Sequence, residues 1–445
     1  MIFSLDVRRA RKGDCLLLHF GTRQAPGLVM IDGGPRGVYA PHLKPRIEQI
    51  RKARRLADNA PLDVNLLMVS HVDDDHIQGI LDLTKELMDA KRARRPQAIR
   101  VLSLWHNSFD NVIGNPPAEL TAMFKGQFGA ASTSGEPPAD LTVEADDDDL
   151  DEESVRASLM VLASIEQGAR LRGEADALEF PLNPEFDGKL IVAAKAAVDV
   201  ADGLTFTVAG PMQKEIKALH KKHEAWLKDL EKKGKSPSDA LAAYVDTSVP
   251  NLSSVVVLAE AAGKRMLLTG DARGDKILQG LELTGRLKKG GKTHVDLLKV
   301  PHHGSARNLE TDFFVRVTAD HYVLSGNGEH GNPEREALEM LLEARGTADY
   351  AIHLTYPIAE IDAARQEDWK KERAKEQKRA AKLAAAGKKS KKPVRPEWSA
   401  EAHSLAALLA RTPALAARVR IVAADKPHVI DLADPLGAAW PELVA

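Results

Sequence analysis

Residues 65–80 read NLLMVSHVDDDHIQGI, an apolar run that ends on two histidines and three aspartates within six positions. A short run this apolar is the mark of a strand buried on both faces. His71 and Asp73 lie two apart and share one side of an extended segment, whereas Asp75 and His76 fall on the turn into a helical stretch at 77–94. Five ionisable groups so close together repel one another or need partners, and a metal ion is the usual partner. One loop built this way can serve two ions, and a two-ion site clamps the attacking and leaving oxygens of a displacement.

The same punctuation recurs along the chain. LVMIDGG (28–34) ends in Asp32, KRMLLTGD (264–271) in Asp271, and VDLLKVPHHGS (295–305) contains His302 and His303. IFSLDV (2–7), DCLLLHF (14–20), IRVLSLWH (99–106), LTFTVAGP (204–211), SSVVVLAE (253–260) and HYVLSGN (321–327) are further strand-like runs. Helical patterns fill 42–58, 77–94, 212–234 and 334–345. This alternation predicts an α/β layered fold, in which strand ends are where ligands converge. His71, Asp75, His76, Asp271 and a late histidine are thus expected on one rim. His106, also at a strand end, is expected to be structural.

At 445 residues the chain exceeds one ordinary core, and two or three units are expected. A net charge of −2 names no partner. The single cysteine, Cys15, excludes an internal disulfide and a thiolate cluster, so any metal must be held by His, Asp or Glu. No apolar run approaches the ~18 residues of a membrane span, so no membrane insertion is expected. The opening lacks the apolar core of a signal peptide, and a cytoplasmic location is the expectation. Residues 107–200 read as an insertion, with Gly, Ser, Pro and acid concentrated in 126–158 around Asp146–Asp149. The basic segment 370–395 suits a polyanion such as nucleic acid, although its only aromatics, Trp369 and Trp398, flank it at either end. A plain solvated helix is the competing reading.

In chain order, LVMIDGG, SHVDDDHIQG, MLLTGD and KVPHHGS, followed by the histidine of GEHGNP, resemble the motifs of the metallo-β-lactamase superfamily. HVDDDH stands where that family has HxHxDH, with Asp73 at the second histidine. RKGDCLLLHF and NLSSVVVLAEAAGKRMLLTGD are similar to the branch containing the hydrolase domain of the DNA-uptake protein ComEC and phosphorylcholine esterase. The resemblance covers roughly residues 1–350, interrupted by the 107–200 region. It implies a four-layer αββα hydrolase domain over 1–355, with an acidic insertion at about 107–200. A C-terminal extension over 356–445 would carry the basic helix and a small α/β segment.

Carried over, the resemblance implies a first metal site of His71, Asp73, Asp271 and one of His302 or His303. Asp75, His76, Asp271 and His330 would form the second. His302 is taken as the ligand and His303 as a catalytic partner of Asp75, the order within the pair staying open. Asp32 would buttress the loop. Asn251 sits near the place of a usual family histidine, Asn332 occupies the slot before proline, and Ser305 would hold the loop or a phosphate oxygen. Two Zn²⁺ per chain are the first expectation; Asp73 in place of histidine also suits Mn²⁺ or Fe²⁺. The implied reaction is hydrolysis of a phosphodiester by metal-activated hydroxide, in the manner of a phosphodiesterase or nuclease. Hydrolysis of a small ester, lactam or thioester, or a non-catalytic sensor of metal or nucleotide, are the alternatives.

Overall fold

A computed structural model of the chain describes residues 1–107, 167–217, 254–385, 393–423 and 426–445. Asn251, Asp146–Asp149 and the lysine run at 386–392 lie outside the described residues. The class is α/β, as expected.

The strands β1 (Ile2–Val7), β2 (Leu16–Gly21) and β3 (Pro26–Ile31) are antiparallel neighbours. β4 (Leu62–Val64) stands apart, and β5 (Leu66–Val69) runs parallel to β3. The stretch 99–106, expected as one strand, is two. β6 (Ile99–Val101) pairs with β4, and β7 (Leu104–His106) pairs with β5. The break falls at Leu102, which is exposed, so the chain changes sheets where it leaves the core.

The second sheet takes β8 (Val198–Ala201), β9 (Leu204–Gly210), β10 (Val256–Ala261) and β11 (Lys264–Leu268) as antiparallel neighbours. It continues in parallel through β12 (Thr293–Lys299), β13 (Val317–Leu324), β14 (Ala351–Leu354) and β15 (Val419–Ile421). β16 (His428–Asp431) returns to the first sheet beside β1, completing the order β16-β1-β2-β3-β5-β7. Residues 419–431 thus supply an edge strand to each sheet.

Burial follows the two-residue period of a strand. Leu16, Leu18, Val29, Ile31, Leu66 and Met68 of the first sheet pack against Phe206, Val208, Val257, Met266, Leu268 and Leu297 of the second. Leu17, Leu28, Met30, Leu67 and Val69 face the other way, onto α1 (Lys44–Ala53) and α2 (Asp74–Arg92). Val256, Leu258, Leu267 and Leu298 pack against α3 (Gly274–Leu283), α4 (Thr311–Arg316) and α5 (Arg335–Arg345). The continuous apolar runs therefore reflect strands covered on both faces. Each such side chain contributes about 1.5–3 kcal/mol by leaving water, which fixes the strand ends that carry the polar residues.

Two departures concern the ends of the chain's irregular regions. Residues 167–177, within the expected insertion, are helical, with Leu171, Ala175 and Leu178 buried against the first sheet's outer core. The basic helix α6 (Ile358–Ala385) is met by the returning segment after residue 393. There Trp369 stacks near Trp398 and His403, its indole N–H donating to the Pro396 carbonyl at 2.9 Å, and Arg395 pairs with Glu376 at 2.8 Å. Both tryptophans serve this clasp.

Candidate metal centre

The parallel strands β3, β5, β11, β12 and β13 deliver their carboxyl ends to one rim, carrying Asp32, Ser70–His71, Asp271, His302–His303 and Ser325. Close backbone approach makes this possible. A Cβ on Gly79 would stand 1.9 Å from the Gly33 carbonyl oxygen, so only a glycine pair lets the start of α2 press against the loop after β3. Gly13 does the same for the loop before β2, where a Cβ would stand 1.8 Å from the Asp75 carbonyl oxygen. That loop carries Asp14 into the rim.

Asp271 is the hub. Its Oδ1 lies 3.3 Å from His76 Nε2 and 3.3 Å from His303 Nε2. Its Oδ2 lies 3.8 Å from His71 Nε2 and 3.6 Å from His302 Nε2. Asp73 joins the Oδ2 side, 3.6 Å from His71 Nε2. Asp75 joins the Oδ1 side, 3.9 Å from both His76 Nε2 and His303 Nε2. All four imidazoles turn the same nitrogen inward. Their outward nitrogens are tied: His76 Nδ1 to Asp32 at 2.8 Å, His71 Nδ1 to Ser70 Oγ at 3.1 Å, His303 Nδ1 to Ser325 Oγ at 3.1 Å, and His302 Nδ1 to the Asn308 amide. Orientation of a ligating histidine through its second nitrogen is the usual arrangement at metal centres.

Asp32 also accepts from the Ser70 backbone N–H and hydroxyl, each at 2.7 Å, so it braces the loop from behind the rings. His302 and His303 both adopt left-handed backbone conformations, with φ of 48° and 55°. Two consecutive non-glycine residues there cost about 1–3 kcal/mol each, a strain typical of functional sites.

The electrostatics are set by burial and by the charges the cluster's own residues carry. Burial would raise the Asp271 carboxyl, but His303, His302 and His76 outweigh it and hold it well below the usual carboxylate range. Burial alone would keep His76 neutral, yet Asp271 and Asp32 push its pKa well above 6.5. His71 is driven down to about 3 by burial and by His76. Asp73 is pushed up to about 8 by burial and by its neighbours Asp75 and Asp271.

The donors fit a metal ion. Four of the inward atoms are buried and have no hydrogen-bond partner: His71 Nε2, His76 Nε2, His303 Nε2 and Asp271 Oδ1. Each such atom costs about 1–3 kcal/mol when left unsatisfied. Donors bound at about 2.1 Å in a tetrahedron stand about 3.4 Å apart, close to the spacings seen here. In two overlapping groups, Asp14–His76–Asp271–His303 and His71–Asp75–His76, one donor atom from each residue lies within 4.8 Å of all the others.

The residues singled out in the sequence are not all drawn in. His71, Asp73, Asp75, His76, Asp271, His302 and His303 meet around one carboxylate. His330 does not join them. It is exposed, its Nε2 lies 3.2 Å from Lys12 Nζ, and its turn is pinned by the Arg11–Glu329 pair at 2.9 Å and by Arg365 donating to the Gly331 carbonyl. Asn332 is buried, and its carbonyl accepts from Gly328 N–H at 2.9 Å. Ser305 donates to Glu334 at 3.2 Å. His106 is buried, its backbone N–H donating to Asn183 at 2.9 Å. Asp14, Lys299, Ser325 and Asn308 were not foreseen. The readable signal was Lys299, a cation inside the apolar run VDLLKVP.

No protein-family model matches the chain. Human microtubule-associated protein 1A is 33% identical over 113 residues, and the rat protein of that name 34% over 113 residues. These matches cover 25% of this chain, and the chain spans about 4% of the length of those relatives. A crystal structure of a protein of unknown function from Enterococcus faecalis V583 aligns with 80% of this chain and 71% of its own at 10% identity, with a TM-score of 0.26. None of these similarities carries a fold or an activity over to this chain. No helix among the described residues is long and apolar enough to cross a membrane.

Proposed function

We propose that this chain is a cytoplasmic metal-dependent hydrolase of the metallo-β-lactamase superfamily, with an αββα layering and a phosphodiester substrate. One observation carries the reading: imidazole nitrogens gather at both oxygens of Asp271, His76 and His303 at Oδ1 and His71 and His302 at Oδ2, so that one carboxylate could serve two ions. His71, Asp73 and His302 would hold one ion, and His76, Asp75 and His303 the other. Zn²⁺ suits the imidazoles, and Mn²⁺ or Fe²⁺ suits the oxygen-rich set. Such ions supply Lewis acidity and bring the pKa of water towards neutrality.

The chain's own residues divide the remaining work. His302 is the most open of the four histidines, with 28% of its side chain exposed against 2% for His303. It therefore lies on the side from which substrate arrives. Asp75, 21% exposed, can accept a proton from an attacking water at the same edge. The phosphodiester rests on the motif resemblance. Helix α6 adds less to it than composition suggests, because Lys370 pairs with Glu367, Lys375 with Glu372 and Arg395 with Glu376.

The test is metal content of the purified chain and of Asp271→Asn, with hydrolysis of bis-p-nitrophenyl phosphate under added Zn²⁺ or Mn²⁺. About two ions per chain, lost with diesterase activity in the variant, is the expected result. An intact metal content with turnover of a chromogenic carboxylic ester and none of the diester would redirect the substrate class. No bound metal and no turnover would end the hydrolase reading.

A further inference from the structure

Behind the metal centre lie two charges that the proposed chemistry does not use. Asp14 and Lys299 are each 1% exposed. A buried ammonium costs several kcal/mol unless it is paired. Lys299 Nζ contacts Asp14 Oδ2 and donates to the Gly270 carbonyl at 3.3 Å, one residue before the hub Asp271. Ser325 Oγ donates to the other oxygen, Asp14 Oδ1.

The polarity of this chain can be followed atom by atom. An ammonium only donates, so Asp14 is the acceptor at Oδ2. A serine hydroxyl has one proton, and Ser325 gives it to Asp14 Oδ1. What remains on Ser325 Oγ is acceptor capacity, and the atom facing it at 3.1 Å is His303 Nδ1. The ring proton of His303 therefore sits on Nδ1. Its Nε2 keeps a lone pair, 3.3 Å from Asp271 Oδ1 and 3.9 Å from Asp75 Oδ2, with no hydrogen-bond partner. Asp14 also stands behind both rings of that side, 3.5 Å from His303 Nδ1 and 3.9 Å from His76 Nδ1. Proximity alone would count Asp14 among the possible ligands. Both its oxygens, however, are spent on Lys299 and Ser325, on the side of the rings away from the orphaned nitrogens.

We infer that Lys299, Asp14 and Ser325 form a buried relay that fixes His303 in its Nδ1-protonated form and aims its Nε2 at the metal centre, Asp14 acting as a positioning residue and not as a ligand. The inference builds on the metal-centre reading, but the ring tautomer it specifies exists with or without an ion.

Ser325→Ala, Ser325→Thr and Asp14→Asn test it in the full chain. The first readout is the pair of ring ¹⁵N shifts of His303 in chelator-treated protein, assigned by their loss in His303→Gln. The second is Zn²⁺ affinity by competition with a chromogenic chelator. Wild type and Ser325→Thr should show the Nδ1-protonated ring; Ser325→Ala and Asp14→Asn should shift it towards the other tautomer. Zn²⁺ affinity should fall about 10–100-fold in Ser325→Ala and recover in Ser325→Thr. An unchanged tautomer and affinity in Ser325→Ala overturns the relay. Loss of a full Zn²⁺ equivalent in Asp14→Asn beside an unaffected Ser325→Ala makes Asp14 a ligand and also overturns it. Failure of the hydrolase proposal looks different: the tautomer responds as described while wild type turns over no diester.

Discussion

Asp73→Asn should stabilise the metal-free protein and abolish the benefit of adding metal. In the folded chain the Asp73 carboxyl resists ionisation until about pH 8, against 3.8 for an unhindered aspartate. Unfolding releases it to ionise at its ordinary value. The folded state is therefore penalised progressively as pH rises from about 4 to 8. From 3.8 to pH 7 is about three pH units at about 1.36 kcal/mol each, or about 4 kcal/mol. The side chain is 16% exposed, and screening by that water reduces the figure to about 2–3 kcal/mol. With an unfolding entropy of about 2.1 cal/mol/K per residue over 445 residues, the midpoint should rise by about 2–3 °C. The assay is thermal unfolding of both proteins in chelator between pH 4 and 8. The advantage of Asp73→Asn should be absent near pH 4 and grow towards pH 8. In excess Zn²⁺ the order should reverse, because only the intact site gains binding energy. A variant midpoint at or below wild type in chelator at pH 8, or a gap that ignores pH, would refute the reasoning.

Two more predictions concern the frame. Gly79→Ala places a Cβ 1.9 Å from the Gly33 carbonyl oxygen, so α2 must shift. We expect a loss of about 3 kcal/mol in denaturant titration, within the upper range for overpacking, together with reduced metal content as Asp32 loses His76. Away from the site, His353 bridges His321 at 3.0 Å and His428 at 2.7 Å, and burial with its histidine neighbours drives its pKa to about 2. The unfolded chain takes up that proton near 6.5, so the contribution is complete above pH 6.5 and declines as pH falls towards 2. In chelator, wild type should lose about 1 kcal/mol more than His353→Gln between pH 6.5 and 5.5, because the unfolded imidazole is only half protonated at the upper end, read by urea midpoints; parallel pH profiles would count against it.

Much of the centre was legible because its donors come in local clusters at strand ends. HVDDDH, LLTGD and PHHGS each announce themselves by polar residues abutting an apolar run. The braces were harder to see, since each is a single residue whose role depends on a partner far along the chain. Asp14 looks like an ordinary turn aspartate until Lys299 and Ser325 are placed beside it. His330 is the converse case. Its chain position suits a ligand, but its exposure and the contacts of Arg11 and Arg365 with the neighbouring Glu329 and Gly331 are tertiary. β4, β8 and β14 were too short to stand out against their flanks.

The pairing of β1 with β16 has a bearing on how the chain assembles. Ser4 donates to Asp431 at 2.6 Å across a sequence separation of 427 residues. During synthesis β1 emerges 427 residues ahead of the strand that covers its outer edge. An uncovered strand edge is a template for pairing with another chain. Contacts this distant are also slow to form, because the closure entropy comes first. Nascent chains and chains truncated before β16 should therefore be the aggregation-prone species, even though every candidate metal donor lies upstream of the missing strand.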